Sequence, residues 1–475
     1  MCRAPKLLPQ IDKSATRAGL QLIPSEARPV TRDNLLARAI IAVQSRRLQA
    51  APPGQVNAHP SAAAFPGSVP KDAARITLDI PIQTAAGDWG WFGTGLYAAP
   101  GEVITVQVPR SALDKGLAIV IGSHTDELWR LDSWKRMPAI SIQSPVRQVR
   151  TEAANAFGGL IYLSVPRKSG VGDFVATIAG GVPAPRYVLG KTDLTEWRNS
   201  IRNRPAPWAE IESRKIVLTV PSSLIRGLND PDALMQTWDR ISDLECDFAG
   251  HPHERERAER LVPDLQIEGE EEGGALHAGY PITSHMPSGT VMVDREALLK
   301  GEIGGANTPK GWGLYHELGH NVQNPDWLFE GNVEGSVNLF TLYVFENLCG
   351  TPVASNVRGS KEYRLRQMTR FNFAKPDFDK WKNDPLLGMT TYEQLQQAFG
   401  WDAFKKVFAE YLRLPESERP RTDAEKRDQW VIRLSRQVQR NLGPFFQAWG
   451  FPVSARALAE LRDLPVWISD ELPKS

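Results

Sequence analysis

The chain has 475 residues, 41% hydrophobic and 23% charged, with a formal net charge of +1. A near-neutral balance gives no reason to expect nucleic acid or an anionic membrane surface as partner, and no apolar run approaches the roughly 18 residues of a spanning helix. The length exceeds what one hydrophobic core usually serves and implies two or three domains.

Residues 1–72 read as an N-terminal extension and linker, rich in Ala, Pro and Arg. Positions 33–47 space Leu36, Ile40, Ile41 and Val43 as a helix would, behind a polar start. The following AAPPGQVNAHPSAAAFPGSVP reads as a flexible linker. The start of the chain has no secretory apolar core, because its most apolar stretch, 35–43, comes late and holds Arg38. Cys2, Cys246 and Cys349 are odd in number and widely spaced, so they read as free thiols and not as a disulfide framework or a CxxC metal pattern.

From 73 to 183 the signal turns to strands. ITLDI alternates at 76–80, and short apolar runs follow near 95–97, 103–109, 117–122, 139–142, 160–165 and 174–178, with Gly, Pro, Asp and Ser between them. Short strands at this spacing predict an all-β sandwich. His124 stands alone there, without metal-site spacing, and reads as structural.

Residues 184–470 read as a further domain. A strand is predicted at 215–220 and helices at 230–244, 392–399, 401–412 and 423–439. His251 and His253, followed by ERERAER, read as part of a solvated face. The run EGEEEGG at 268–274 reads as an acidic loop.

The chemistry is concentrated in 311–350, GWGLYHELGHNVQNPDWLFEGNVEGSVNLFTLYVFENLCG. His316 and His320 flank Glu317 in an HExxH motif, and residues four apart share one face of a helix. Two imidazoles with an adjacent carboxylate suit a zinc ion, and that carboxylate can act as the base for water. A third protein ligand is expected. The next helix, predicted to end at Gly350, offers Glu334 among mostly apolar neighbours. A carboxylate buried there without a partner would be costly, which favours Glu334 over Glu330 at the polar start of the segment. Asn338, one turn on, either orients a ligand from outside the first shell or bonds the backbone.

This segment resembles peptidase family M-60, the enhancin-like and mucin-degrading metallopeptidases, in GWGLYHELGHNVQ followed by VEGSVNLFTLYV. WFGTGLYAAPGEVITVQVP and NAFGGLIYLSVP resemble the β-sandwich that precedes the family's catalytic domain. ALHAGYPI at 275–282 resembles a signature just before the zinc helix. The resemblance implies His316, His320 and Glu334 as ligands of one zinc ion per chain and Glu317 as catalytic base. It implies an α+β fold: the sandwich, then a zincin-type catalytic domain with a mixed-sheet subdomain and a helical subdomain. It also implies a zinc endopeptidase acting on glycoproteins of the mucin-like, O-glycosylated kind, exported or at the cell surface. Tyr280 and His277 are candidates for holding the transition-state oxyanion or the substrate, with a packed turn as the other reading of Tyr280. Trp327 and Trp312 are candidates for stacking on a sugar, with core packing as the other reading. Two alternatives stand beside the endopeptidase: a non-catalytic glycoprotein- or carbohydrate-binding protein of peptidase shape, and a zinc aminopeptidase, whose GxMEN-type motif the sequence lacks.

Overall fold

The computed structural model describes residues 19–84, 87–272, 274–300 and 311–473. They form two compact units: positions up to Gln236 together with Arg255–Asp294, and Thr237–Glu254 together with positions from Arg295 onward. The mixed sheet thus groups with the sandwich, whereas the sequence reading groups it with the helical part.

Within the first unit, two antiparallel layers share one long strand. One layer runs Ile142–Pro145, Ala118–Ile121, Gly159–Val165, Gly90–Ala98; the other carries Ile76–Ile82, Ile104–Gln107 and Arg150–Ala153. Phe174–Pro183 belongs to both. Its first half pairs with Ile76–Ile82 and Ile104–Gln107, and after a register shift between Ala179 and Gly181 its end pairs with Tyr97 and Leu96. The bulge needs glycine: Gly180 has φ +89°, and a Cβ on Gly181 would lie 2.9 Å from the Leu96 Cβ. Ile82, Ile104, Ile119, Leu163, Ala176 and Ile178 from both layers fill one core, as in a sandwich.

The extension is not a flexible linker. Its helix, Leu35–Ala50, carries Arg38, whose guanidinium lies 3.8 Å over the Trp134 ring and donates to the Leu131 and Asp132 carbonyls. The following stretch buries Val56 and Phe65 in a core with Tyr97 and Trp208. Tyr97 donates its hydroxyl hydrogen to Gly67 O at 2.8 Å, and Trp208 Nε1 donates to Pro66 O at 2.7 Å. His124 packs against Phe65 and Trp208, and burial pushes its pKa down to about 4.

A mixed six-stranded sheet completes this unit, in the order Arg186–Val188, Trp208–Glu212, Ile216–Pro221, Glu259–Asp264, Ile282–His285, Leu276–His277. The first pair and the two around Glu259–Asp264 are parallel, the others antiparallel. Strand ERLVPD is buried throughout despite its charges. Arg260 pairs with Glu210, and Arg136 grips Asp264 with two nitrogens, each at 2.7 Å. Buried charges of this kind must be matched by partners. The acidic loop is fastened as well: Glu270 pairs with Lys135, and Glu271 accepts from the Asp132 N–H.

The second unit is helical. Trp312–His320, Asn332–Cys349, Pro385–Phe399, Trp401–Tyr411 and Asp423–Val438 are its main helices. Asp384 caps Pro385–Phe399 with proline at the first turn, and Thr422 with Glu425 forms a capping box on Asp423–Val438. Phe248, Phe340, Phe404, Phe408 and Trp430 form its aromatic core. Among the described residues no helix is long and apolar enough to cross a membrane.

Candidate metal centre

The HExxH segment is the nine-residue helix Trp312–His320. Leu314, Tyr315 and Leu318 anchor it inward, and Tyr315 donates its hydroxyl hydrogen to Leu298 O at 2.9 Å. Gly319 permits close approach to the next helix, since a Cβ there would lie 3.0 Å from both Phe340 Cβ and Val337 Cγ2. His316 and His320 share the remaining face, and their Nε2 atoms are 3.1 Å apart.

The partner helix, Asn332–Cys349, starts after Gly331 (φ 78°) and ends at Gly350 (φ 65°), both left-handed. It presents Glu334 to the two histidines: Oε2 is 3.2 Å from His316 Nε2 and Oε1 is 3.4 Å from His320 Nε2. The desolvation argument that favoured Glu334 does not describe its surroundings, because the side chain is 51% exposed. Position on the helix, not burial, brings it to the histidines. Glu330 lies elsewhere, 3.0 Å from Lys382 Nζ.

The two imidazole nitrogens and the carboxylate converge as ligands of one ion would. Bonds of about 2.0–2.1 Å in a tetrahedral shell place donors about 3.3 Å apart, close to the 3.1 Å between the nitrogens and to the 3.2 and 3.4 Å from each nitrogen to a different oxygen of the carboxylate. Among the described residues, His316, His320 and Glu334 are the group whose donor atoms can meet on one metal. Hydrogen bonds from His316 and His320 hold the Glu334 carboxyl well below the usual carboxylate range. Burial opposes protonation of His320, but Glu334, Gln323 and the Glu317 charge together raise its pKa. A field that favours a proton there also favours a metal cation.

Each imidazole is held from behind. His316 Nδ1 lies 3.2 Å from Asn338 Oδ1, and Asn338 Nδ2 donates to Glu334 O at 2.7 Å. His320 Nδ1 lies 2.8 Å from Gln323 Oε1. Sequence reasoning named Asn338 and missed Gln323, although a polar residue three positions after a ligand histidine falls on the same side of the turn.

Residues 180–450 match the family described as Peptidase M60, enhancin and enhancin-like, and residues 70–179 match the N-terminal domain of M60-like peptidases. The chain belongs to the M60 peptidase family. Among curated relatives, the TRPM8 channel-associated factor homolog of Xenopus laevis is 36% identical over 404 residues, 84% of this chain and 42% of that protein. The chain therefore spans about two-fifths of the curated relatives it matches. Two solved structures are similar in fold. One is a conserved protein of unknown function from Bacillus anthracis, with TM-score 0.63 and 21% identity, over 84% of this chain and 80% of that one. The other is IMPa from Pseudomonas aeruginosa in complex with an O-glycopeptide, with TM-score 0.56 and 17% identity, over 85% and 52%. M60 membership implies a metal, and the His-His-Glu group fits one.

Glu317 is buried on the HExxH helix beside His316. Trp327 is 1% exposed, with Phe408 stacked at 4.6 Å and Trp430 at 5.8 Å, so its ring has no face left for a sugar. Trp312 is buried between contacts with Phe345 at 5.9 Å and the Arg358 guanidinium at 4.7 Å, which removes it for the same reason. In the first unit, His277 has both ring nitrogens engaged, Nε2 with Asp126 Oδ2 at 2.8 Å and Nδ1 with Ala278 O at 3.0 Å. The Tyr280 hydroxyl accepts from the Trp91 N–H at 3.0 Å, and Arg257 covers its ring at 4.0 Å.

Proposed function

We propose that this chain is a zinc-dependent endopeptidase that hydrolyses peptide bonds in glycoproteins, in particular mucin-like, O-glycosylated ones. The observation that carries the reading is the convergence of His316 Nε2 and His320 Nε2, on the helix that also bears Glu317, with the Glu334 carboxylate of the next helix, at contacts of 3.1–3.4 Å. Two imidazoles and a carboxylate are a common donor set of catalytic zinc.

When bound, zinc supplies Lewis acidity at the scissile carbonyl and brings the pKa of water down to about 7. Glu317 takes the proton of the attacking water and passes it to the leaving amine, the two-way role of a general acid–base. Its burial limits the access of bulk water to that proton. Glu334 contributes the negative charge that offsets the cation. Support for a glycoprotein substrate comes from the fold shared with IMPa, which was solved with an O-glycopeptide.

The test is cleavage-site mapping by mass spectrometry on a glycosylated mucin and its deglycosylated form, with the wild type and Glu317→Gln. The wild type should cut near glycosylated residues and prefer the glycosylated form. The variant should keep zinc and lose turnover by on the order of a hundredfold or more, the usual worth of general-base help. Equal cleavage of both forms would remove the glycan preference and leave the peptidase. A second reading, a binding protein with a peptidase-like fold, draws on the 36% identity to a channel-associated factor homolog. Zinc-loaded wild type that binds mucin and cleaves neither form would favour it.

A further inference from the structure

We infer that Gln323 is a positioning residue that holds a hydrogen on His320 Nδ1 and so keeps Nε2, the atom turned toward Glu334, as the ring nitrogen offered to a metal; this rests on the zinc reading above. The argument follows the direction of each hydrogen bond, starting from groups whose polarity cannot vary. A backbone carbonyl only accepts. Ser336 Oγ lies 2.7 Å from Asn332 O and 3.4 Å from Val333 O, so its hydrogen is committed to a carbonyl and a lone pair faces Gln323. Gln323 Nε2 lies 3.0 Å from Ser336 Oγ and 3.0 Å from Val333 O, so both neighbours demand the amide NH2 on that side. The Gln323 Oε1 is thereby left to face His320 Nδ1 at 2.8 Å, and an amide oxygen there requires that Nδ1 carry the hydrogen.

The same logic applies to His316. Glu334 O accepts from Asn338 Nδ2 at 2.7 Å, so Asn338 Oδ1 is the atom presented to His316 Nδ1. Both histidines on the HExxH helix therefore take their polarity from carbonyls in the first turns of the glutamate helix. Ring tautomers are ordinarily undetermined by heavy atoms alone, but here the fixed acceptor at the end of each chain of bonds places a hydrogen on each Nδ1. An Nε2–H tautomer at His320 would set a hydrogen against the ion and a bare Nδ1 against the amide oxygen. Gln323 adds a mechanical link: the loop after the HExxH helix is tied by one side chain to two successive turns of the glutamate helix.

The test has two readouts, neither of which needs activity. Long-range proton–nitrogen spectra of the zinc-free protein at mildly alkaline pH report the His320 tautomer, assigned by comparison with His320→Gln. Chelator competition reports zinc affinity. The wild type should show Nδ1–H at His320. Gln323→Met, close in shape but without an acceptor, should lose that preference and bind zinc about 10–100-fold more weakly, the usual range for such supporting residues. Gln323→Glu keeps an acceptor toward Nδ1–H but loses the donor to Val333 O and Ser336 Oγ; it should retain the tautomer, which a purely space-filling role would not produce, with zinc affinity between those of the wild type and Gln323→Met. Nε2–H at His320 in the wild type would overturn the inference without any variant, even if Gln323→Met failed to fold. So would wild-type tautomer and zinc affinity in Gln323→Met. The two readings fail separately: Nδ1–H in a wild type that takes up no zinc keeps this inference and sinks the zinc assignment, and tight zinc in Gln323→Met does the reverse.

Discussion

Gly335 and Gly388 meet where the glutamate helix crosses Pro385–Phe399: a Cβ built on Gly335 would lie 3.0 Å from the Gly388 Cα. The backbones touch at the residue next to Glu334, so the helix crossing sets the reach of that carboxylate. In an open helix, Gly→Ala would stabilise by roughly 0.5–1 kcal/mol. Here the methyl group meets backbone, and overpacking of this kind costs about 1–3 kcal/mol. Gly335→Ala should lower the melting temperature and weaken zinc binding together. A rise in melting temperature would show that the helices do not approach this closely.

The carboxylates at 330 and 334 separate the metal site from its surroundings. Glu334→Ala should weaken zinc binding by on the order of a hundredfold or more, beyond the range for residues outside the ligand shell. Glu330→Ala removes only an ion pair with Lys382 and should leave zinc affinity unchanged. Titration of both variants with a zinc chelator checks this, and the opposite pattern would transfer the third ligand to Glu330.

Glu393 sits on Pro385–Phe399 with no solvent exposure, and neither carboxylate oxygen has a hydrogen-bond partner among the described residues. Burial raises its pKa well above the usual carboxylate range; Arg364 opposes the shift but is itself paired with Glu471 at 2.7 Å. The folded state then holds a proton that the unfolded state releases, so this group costs stability as pH rises from about 4.5 through its folded value. Glu393→Gln should be more stable than wild type at pH 8, by on the order of 1–3 kcal/mol. The advantage should shrink as the pH falls toward 5. Denaturant melts at the two pH values check the sign. A difference that does not change with pH would mean that Glu393 is paired.

Arg136 is 2% exposed and bridges to Asp264, which is fully buried, while also donating to Met137 O at 2.9 Å. Arg136→Met keeps bulk and strands the carboxylate. Removal of one member of such a pair typically costs about 3–5 kcal/mol. Asp264→Asn in the Arg136→Met background should recover part of the loss, since it takes away the stranded charge. A double variant no better than the single one would place the cost in packing.

Features written in local chemistry were legible in the sequence. ITLDI alternates inward and exposed positions as its pattern predicts, and Gly350 ends the glutamate helix in the left-handed conformation. ERLVPD was not legible, because its Arg260 and Asp264 are neutralised by Glu210 and Arg136, which lie 50 and 128 residues away. The extension misled for a related reason: Ala, Pro and Gly look like linker until Tyr97 and Trp208 are seen bonding to its carbonyls. At the metal centre the motif spacing named His316 and His320, and the family resemblance named Glu334 with them. The argument for Glu334 from burial failed, however, because the carboxylate lies on the half-exposed face of an otherwise buried helix. Trp327 illustrates the limit of reading residue type: an aromatic near a motif looks the same in sequence whether it faces a sugar or Phe408.

The bonds from Tyr97 to Gly67 and from Trp208 to Pro66 tie positions 66 and 67 to strands of both sheets in the first unit. The match to the family's N-terminal domain begins only at residue 70. The border drawn by likeness therefore falls just downstream of a clasp. A truncation made at that border would expose two aromatic donors and the apolar pocket of Phe65, and what looks like a dispensable leader completes a core of the unit it precedes.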